Sequence, residues 1–349
     1  MAGCFVWGLA GGTGDESGSS PQPSLFYPPL PNQPRVQFLT SINDTGFVTP
    51  GKSGFFRFIF GEDKEKEDVR PIIKPYGVAV HEGRIYVCDL RGGLIMMDME
   101  NQESTRLGTS EPGALTKPVN IDIHRDGTLY VADIGREQIL AFDRDGTFIR
   151  AYGRKDEFRP ADVLIHRTRI YVADIAHHQV VIMDAGSGEI MSRIGKAGSK
   201  EGELFHPTNL ALDSLGNLYV SETSNFRISV FGPDGDFVRT FGQIGREPGS
   251  FARNKGIAVD RQGNFWVVDA AFENVQVFNS KGQLLLHFLG PGQDRGNINL
   301  PVDIWLDYDN IQYFRQFADP KFRIECLVFV SSQFGPNKIN VYAHGTYTR

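Results

Sequence analysis

The chain has 349 residues, with 36 Lys and Arg against 42 Asp and Glu. That mildly acidic balance argues against a large nonspecific nucleic-acid footprint, which needs a basic face, and no run approaches the roughly 18 apolar residues of a membrane-spanning helix. The three cysteines, Cys4, Cys88 and Cys326, are too scattered for a disulfide framework or a Cys-based metal site.

The chain opens on Met1-Ala2-Gly3-Cys4. This resembles the cleavage box of a bacterial lipoprotein signal and makes Cys4 the expected lipidation site. Phe5-Val6-Trp7 speaks against it, being apolar for residues that follow a lipid site, and Leu9-Ala10-Gly11-Gly12 has the look of a signal-peptide end without its Cys. Residues 11–34 are rich in Gly, Ser and Pro and bury too little surface to fold, so 1–34 is expected to be a signal remnant and flexible tether. A tether behind a lipidated Cys implies export to the periplasm, outer membrane or cell surface, with the anchor as the membrane contact.

Residues 35–40 have the pattern of a short strand. An aromatic run (55–60) and a charged run (62–68) follow. The first reads as a helical turn or strand packed on the fold; the second reads as a solvated loop placed to act as a lid. From Pro75 onward the chain repeats a phrase: Tyr86-Val87-Cys88-Asp89, Tyr130-Val131-Ala132-Asp133, Tyr171-Val172-Ala173-Asp174, Tyr219-Val220-Ser221-Glu222, Trp266-Val267-Val268-Asp269 and, more weakly, Phe329-Val330-Ser331-Ser332. The acidic ends of the first five are 44, 41, 48 and 47 residues apart. Such a period, built of short apolar runs between Gly turns, marks a radial or solenoid repeat. Cys88 stands in the Ala slot of the phrase and reads as a small buried hydrophobe.

Each unit holds four strand-like runs. In the unit from Pro207 these are 210–213, 218–221, 227–231 and 237–242, with turns at 214–217 and 232–235. Four short antiparallel strands make one propeller blade. First strands begin near Pro75, Pro118, Pro160, Pro207, Asn254 and Pro301, and the last unit runs out after its third strand. Residues 35–40 supply the missing fourth strand. The expectation is an all-β, six-bladed β-propeller over 35–349, closed by an N-terminal latch that removes both open edges.

Gly256-Ile257-Ala258-Val259-Asp260-Arg261-Gln262-Gly263-Asn264 and Ser224-Asn225-Phe226-Arg227-Ile228 resemble the repeat of the NHL family of six-bladed propellers. The resemblance covers about residues 35–349. It implies the fold and leaves activity open, because related propellers include lyases, lactonases, RNA binders and adaptors.

An up-and-down meander puts the blade-to-blade loops on one face, the top, and lines the channel with first strands. Three rows of residues follow. Two positions after each blade's Pro slot stand Gly77, Asn120, Asp162, Asn209, Gly256 and Asp303. Of these, Asn120, Asp162, Asn209 and Asp303 offer hard oxygen ligands to Ca²⁺ or another divalent metal, as the resemblance to metal-dependent lactonases implies; otherwise they are channel polarity satisfied by water. One position before the slot stand Lys74, Lys117, Arg159, His206 and Arg253, a basic ring suited to an anionic ligand or to covering the blade junction. The acidic ends of the phrase, Asp89, Asp133, Asp174, Glu222 and Asp269, are expected to accept backbone N–H groups in their own loops.

His81, His124 and His166 sit in bottom turns of three consecutive blades, too dispersed to converge on one zinc. His177-His178 occupies a loop slot of the family repeat and reads as structural. The family's amidating lyases use several central His, and here His206 alone stands near the channel mouth, which disfavours that chemistry. No nucleophile elbow, phosphate loop or Ser/His/Asp context is present; Asp162 and Asp303 stay open as a two-carboxylate pair.

The last blade breaks the repeat. Asp307 to Phe329 takes 22 residues, where Asp260 to Trp266 takes 6. The excess carries Tyr313, Phe314, Arg315, Phe317 and Phe322, either a protein-docking surface on the bottom face or a hairpin packed on its own blade. The expected function is a non-catalytic scaffold, monomeric or part of a complex, that binds a protein, peptide or glycan and no nucleic acid. It uses the top ring or the insertion at 308–325 and needs no cofactor. The alternative is a metal-dependent lyase or lactonase centred on the channel Asp and Asn residues.

Overall fold

The computed structural model describes residues 23–48 and 69–348. The lipidation expectation at Cys4 and the runs 55–60 and 62–68 lie outside the described residues.

The described residues form six antiparallel sheets. Blades 1 to 5 span 75–107, 118–152, 160–194, 207–241 and 254–288, four strands each. Their first strands contact one another in sequence, and the ring shuts where Pro301–Asp307 of blade 6 meets Pro75–His81 of blade 1. Apolar clusters fill all six seams between blades, for example Ala211, Tyr219, Val230 and Val267 between blades 4 and 5. Neighbouring blades cover both faces of the middle strands. Leu218–Glu222 is therefore buried at all five positions, whereas the peripheral Phe237–Phe241 has no fully buried residue. Cys88 is fully buried, as its slot requires.

Blade 6 joins the two ends of the chain. Pro301–Asp307, Phe322–Ser332 and Ile339–Tyr347 pair in order, and the latch strand Val36–Ile42 adds antiparallel to the last of them, from Val36 opposite His344 to Ile42 opposite Ile339. One strand was not anticipated. Leu25–Tyr27 pairs outside the latch, and its Tyr27 ring lies 5.6 Å from Phe288 of blade 5. Arg295 Nη1 donates to the Pro23 carbonyl at 3.0 Å. The expected tether over 1–34 is thus corrected for residues 23–34, which pack on the propeller.

The long connection of blade 6 also departs from expectation. It forms a helical turn, Ile311–Phe314, then a 3₁₀ turn, Arg315–Phe317, and an extended second strand. Phe314 is fully buried, edge-on to Phe329 at 5.4 Å and stacked on Phe47 at 5.9 Å. Phe322 is buried against Phe26 at 6.1 Å. These two are core residues and leave the expected docking set. Tyr313 is half-buried against the Gly83 turn, and Arg315 and Phe317 stay exposed. Residues 43–48 and 69–73 run side by side, bridged at Asp44 and Pro71. Phe47 on that segment stacks on Phe314 and Phe317, while Ile73 on the other flank donates its N–H to Asp89 of the top acidic row.

Candidate functional site

Every first strand carries the same irregularity. Its register against the second strand shifts just after the Pro slot, between Pro160 and Asp162 or Pro301 and Asp303, for example. A bulge leaves a residue unpaired and re-aims its neighbour. Here it turns the row-one side chains toward the adjoining blade. Asp162 Oδ1 accepts the N–H of Val163 at 2.8 Å, and Oδ2 accepts that of Leu210 on blade 4 at 2.7 Å. Asp303 Oδ2 accepts the N–H of Val78 on blade 1 at 3.0 Å. Asp122, lower in the channel, does the same for blade 3, accepting from Ile165 at 2.7 Å. These carboxylates staple blades together. Gly77 and Gly256 complete the row because a Cβ there would strike Asn120 Oδ1 and, at 2.6 Å, Asp303 Cα.

Burial pushes all three carboxyls upward, against the opposing pull of those N–H groups. Asp303 is pushed up to about 7 and Asp122 to about 6. Asp162 rises well above the usual range, by burial first and by the Asp303 charge second. Asn120 Oδ1 accepts from Ile121 at 3.0 Å, while Asn209, 1% exposed, has neither amide atom bonded among the described residues. Within the expected metal set the two carboxylates already accept backbone N–H groups, whereas the Asn209 amide has no partner among the described residues. A cavity of about 270 Å³ adjoins these residues, walled by Leu164, Leu212, Val259 and Leu306.

The basic row lies above. Lys117, Arg159, His206 and Arg253 are exposed, and Lys74 is half-buried with its ammonium 5.3 Å from the Phe334 ring centre. Arg159, Arg253 and Lys117 form no ion pair among the described residues. Row three behaves as expected. Asp269 accepts from Ala252, Arg253, Ala271 and Phe272 N–H groups, and Asp133 from Thr116, Lys117, Gly135 and Arg136. The acids thus pin the backbone of the basic row and leave its side-chain charges free. His177 Nδ1 lies 2.6 Å from Asp174, and the backbone N–H of His206 donates to His178 Nδ1 at 3.1 Å. His124 pairs with Asp126 at 2.9 Å, away from His81 and His166.

Two mouth residues escaped the sequence rows. The position just after the Pro slot is Val119, Ala161, Thr208 and Val302 in four blades, but Tyr76 in blade 1 and Lys255 in blade 5. Burial, then the charges of Asp303 and Asp162, pushes the Tyr76 hydroxyl up to about 12, and Arg253 opposes them. Lys255 is pushed down to about 8 by burial and then by Arg253. His206 is lowered by burial and by the charges of Lys255, His178 and Arg159. Arg159, His206, Arg253, Lys255 and Tyr76 stand at or just before the starts of the first strands of blades 1, 3, 4 and 5, at the top of the channel. A column-by-column alignment of the six units exposes Lys255, and also Asp122, the one charge in a column otherwise Ala79, Leu164, Ala211, Ala258 and Trp305.

No family model matches the sequence. Protein lin-41 of Caenorhabditis elegans is 39% identical over 54 residues, a stretch about one repeat long that covers 16% of this chain and 5% of that protein. Among solved structures, a gluconolactonase from Xanthomonas campestris aligns with 22% identity over 78% of this chain and 86% of its own, at a TM-score of 0.57. A streptogramin B lyase structure aligns with 14% identity over 90% of this chain and 87% of its own, at a TM-score of 0.54. At these identities the likeness is one of fold.

Proposed function

We propose that this NHL-type propeller is a binding protein whose top face takes an acidic protein or peptide segment. The observation that carries this is the set of cations with no ion pair among the described residues, Lys117, Arg159 and Arg253, set among exposed apolar residues of the same face. Those are Phe205, Ile244 and Phe334, at 41%, 68% and 54% exposure. Isolated exposed apolar residues are ordinary; apolar residues interleaved with uncompensated charge suit a partner that supplies both complements. The bottom insertion competes less well, because Phe314 and Phe322 are spent on the core.

A labelled peptide rich in Glu and Phe, read by fluorescence anisotropy, tests the reading. Binding should weaken about tenfold or more in the Arg159→Glu, Arg253→Glu double variant and with rising salt. It should not change in Arg315→Glu, Arg323→Glu on the bottom. The reverse pattern, or tighter binding of an RNA or acidic glycan of equal charge, overturns it.

The second reading is a metal-dependent lyase or lactonase at Asn120, Asp162, Asn209 and Asp303. It draws support from the partnerless Asn209 amide and from a fold shared with lyase and gluconolactonase structures. Elemental mass spectrometry of the purified protein decides it. One equivalent of divalent metal, lost in Asp162→Ala, would replace the binding reading.

A further inference from the structure

The bottom face carries a hollow between blades 6 and 1. Blade 1 passes from its first to its second strand in two residues, Glu82 and Gly83, with φ of 43° and 77°, a tight hairpin turn that suits the strand twist. Blade 6, beside it, makes the same passage with the long connection 308–321. A short turn next to a long one leaves a cavity of about 490 Å³, lined by both. Hydrogen bonds fix its wall. The Gly83 N–H donates to Asn310 Oδ1 at 2.7 Å, and Asn310 Nδ2 and N–H donate to the two Asp307 oxygens at 2.9 and 3.1 Å. Asn310 and Asp307 are both buried, so this wall is in place before any ligand arrives. The Tyr313 hydroxyl lies over Gly83, 2.9 Å from where a Cβ would stand, and makes no hydrogen bond among the described residues.

The lining is rich in acceptors. Glu82, Glu100, Asp307 and Asp309 bring four carboxylates, and no Lys or Arg is among the lining residues described. His81 also lines the cavity, and its Nε2 is buried without a hydrogen-bond partner, 4.0 Å from the Glu82 carboxylate. Arg144 and Arg261 reach Glu82 and Asp309 from outside, at 3.4 and 3.8 Å. Both pairs are more than half exposed and therefore weak. Glu100 and Asp307 have no ion pair among the described residues. We propose that this cavity binds a guanidinium group, carried by a small guanidino compound or by an arginine of a partner chain. The acceptors stand around a space larger than one ion, so a compact ammonium meets only those on one side. A guanidinium presents five N–H donors in a planar fork, grips carboxylates bidentately, and has no acceptor of its own to leave unpaired. Asp307 is the carboxylate already held in place; Glu100 and Asp309 are exposed and can close on the ligand. The cavity shares no residue with the top face, and its occupancy does not depend on peptide docking there.

Ligand-observed NMR titration of the full chain with N-acetylarginine amide, N-acetyllysine amide and butylguanidine tests the proposal. All three carry one positive charge. The arginine compound should bind about tenfold or more tightly than the lysine compound, because only the head group differs. Butylguanidine binding as well as the arginine compound would mark a small guanidino compound as the ligand; weaker binding would mark an arginine flanked by peptide. Glu100→Gln with Asp309→Asn, two exposed carboxylates whose loss spares the hydrogen-bonded wall, should weaken binding about tenfold. Asp234→Asn with Asp236→Asn, which removes the same charge from an exposed turn of blade 4, should leave it unchanged. Amide exchange should slow at Gly83 and along 309–314 when the ligand is present. Equal affinity for the two head groups, full binding by the Glu100, Asp309 variant, or no binding of any of the three at millimolar concentration overturns the site.

Discussion

Asp303 shows how a single side chain can be structural and pH-sensitive at once. Its carboxylate ties blade 6 to the Val78 N–H of blade 1, yet it does so in a setting that resists charge. The carboxyl titrates from an ordinary value of 3.8 in the unfolded chain and from about 7 in the fold. Between those values the folded state keeps a proton that the unfolded chain has released, so stability is greatest below the window and falls as pH rises through it. The full effect is of the order of 4 kcal/mol for this group. Asp303→Asn keeps an acceptor for Val78 and removes the charge. Urea unfolding at intervals from pH 4.5 to 7.5 should show a flatter decline for the variant than for the parent. Asp162 and Asp122, which shift the same way, remain in both proteins, and the variant also relieves Asp162 of the Asp303 charge, so the difference in slope reports Asp303 together with that coupling; equal slopes would mean its carboxyl is well solvated in the fold.

The long connection of blade 6 puts the matter at the level of elements. Its aromatics look like contact residues in the sequence, because the side chains that dominate interfaces also dominate cores. Phe314 settles into the seam between blades 6 and 1, within a cluster that includes Val80, Ile95 and Leu327. Phe314→Ala should cost about 3–5 kcal/mol through lost contact and the cavity left behind, whereas Phe317→Ala, at 37% exposure, should cost about 1.5 kcal/mol or less. Thermal denaturation of the two variants checks the order, and equal losses would contradict the packing described. The blades themselves were readable in advance because a repeated period declares itself at every turn. The latch was readable because the last unit lacked a strand. Leu25–Tyr27 was not, since three residues vanish inside the average composition of a Gly, Ser and Pro-rich stretch. The basic row and the acidic row could be placed by counting from Pro75 or Asp89. Lys255 lies outside both rows; aligning the units picks it out of its column, but its half-burial without an acid partner among the described residues is a property of the folded mouth.

At the scale of the whole molecule, the propeller depends on a strand from the opposite end of its chain. The latch supplies Val36 and Phe38 to the seam between blades 5 and 6, and Leu39 and Ile42 to the seam between blades 6 and 1. Each such burial contributes about 1.5–3 kcal/mol, so the four together are of the order of a domain's entire net stability. The latch also covers Ile339–Tyr347, whose Tyr342 is fully buried with its hydroxyl bonded to the Gly296 carbonyl at 2.9 Å. Removing residues 1–48 should therefore do two things. It should lower the unfolding midpoint steeply, with hydrogen exchange rising first along 339–347 and in both flanking seams. It should also leave an open edge able to pair with another chain, so that the truncated protein associates in a concentration-dependent way on gel filtration. A synthetic peptide of residues 23–48 added in trans should reverse both effects, because it restores the pairing without the covalent link. Were the truncated chain to stay monomeric and unfold at the parent's midpoint, ring closure would have to reside in the contact between Pro301–Asp307 and Pro75–His81 alone, with the latch an ornament on a ring already shut.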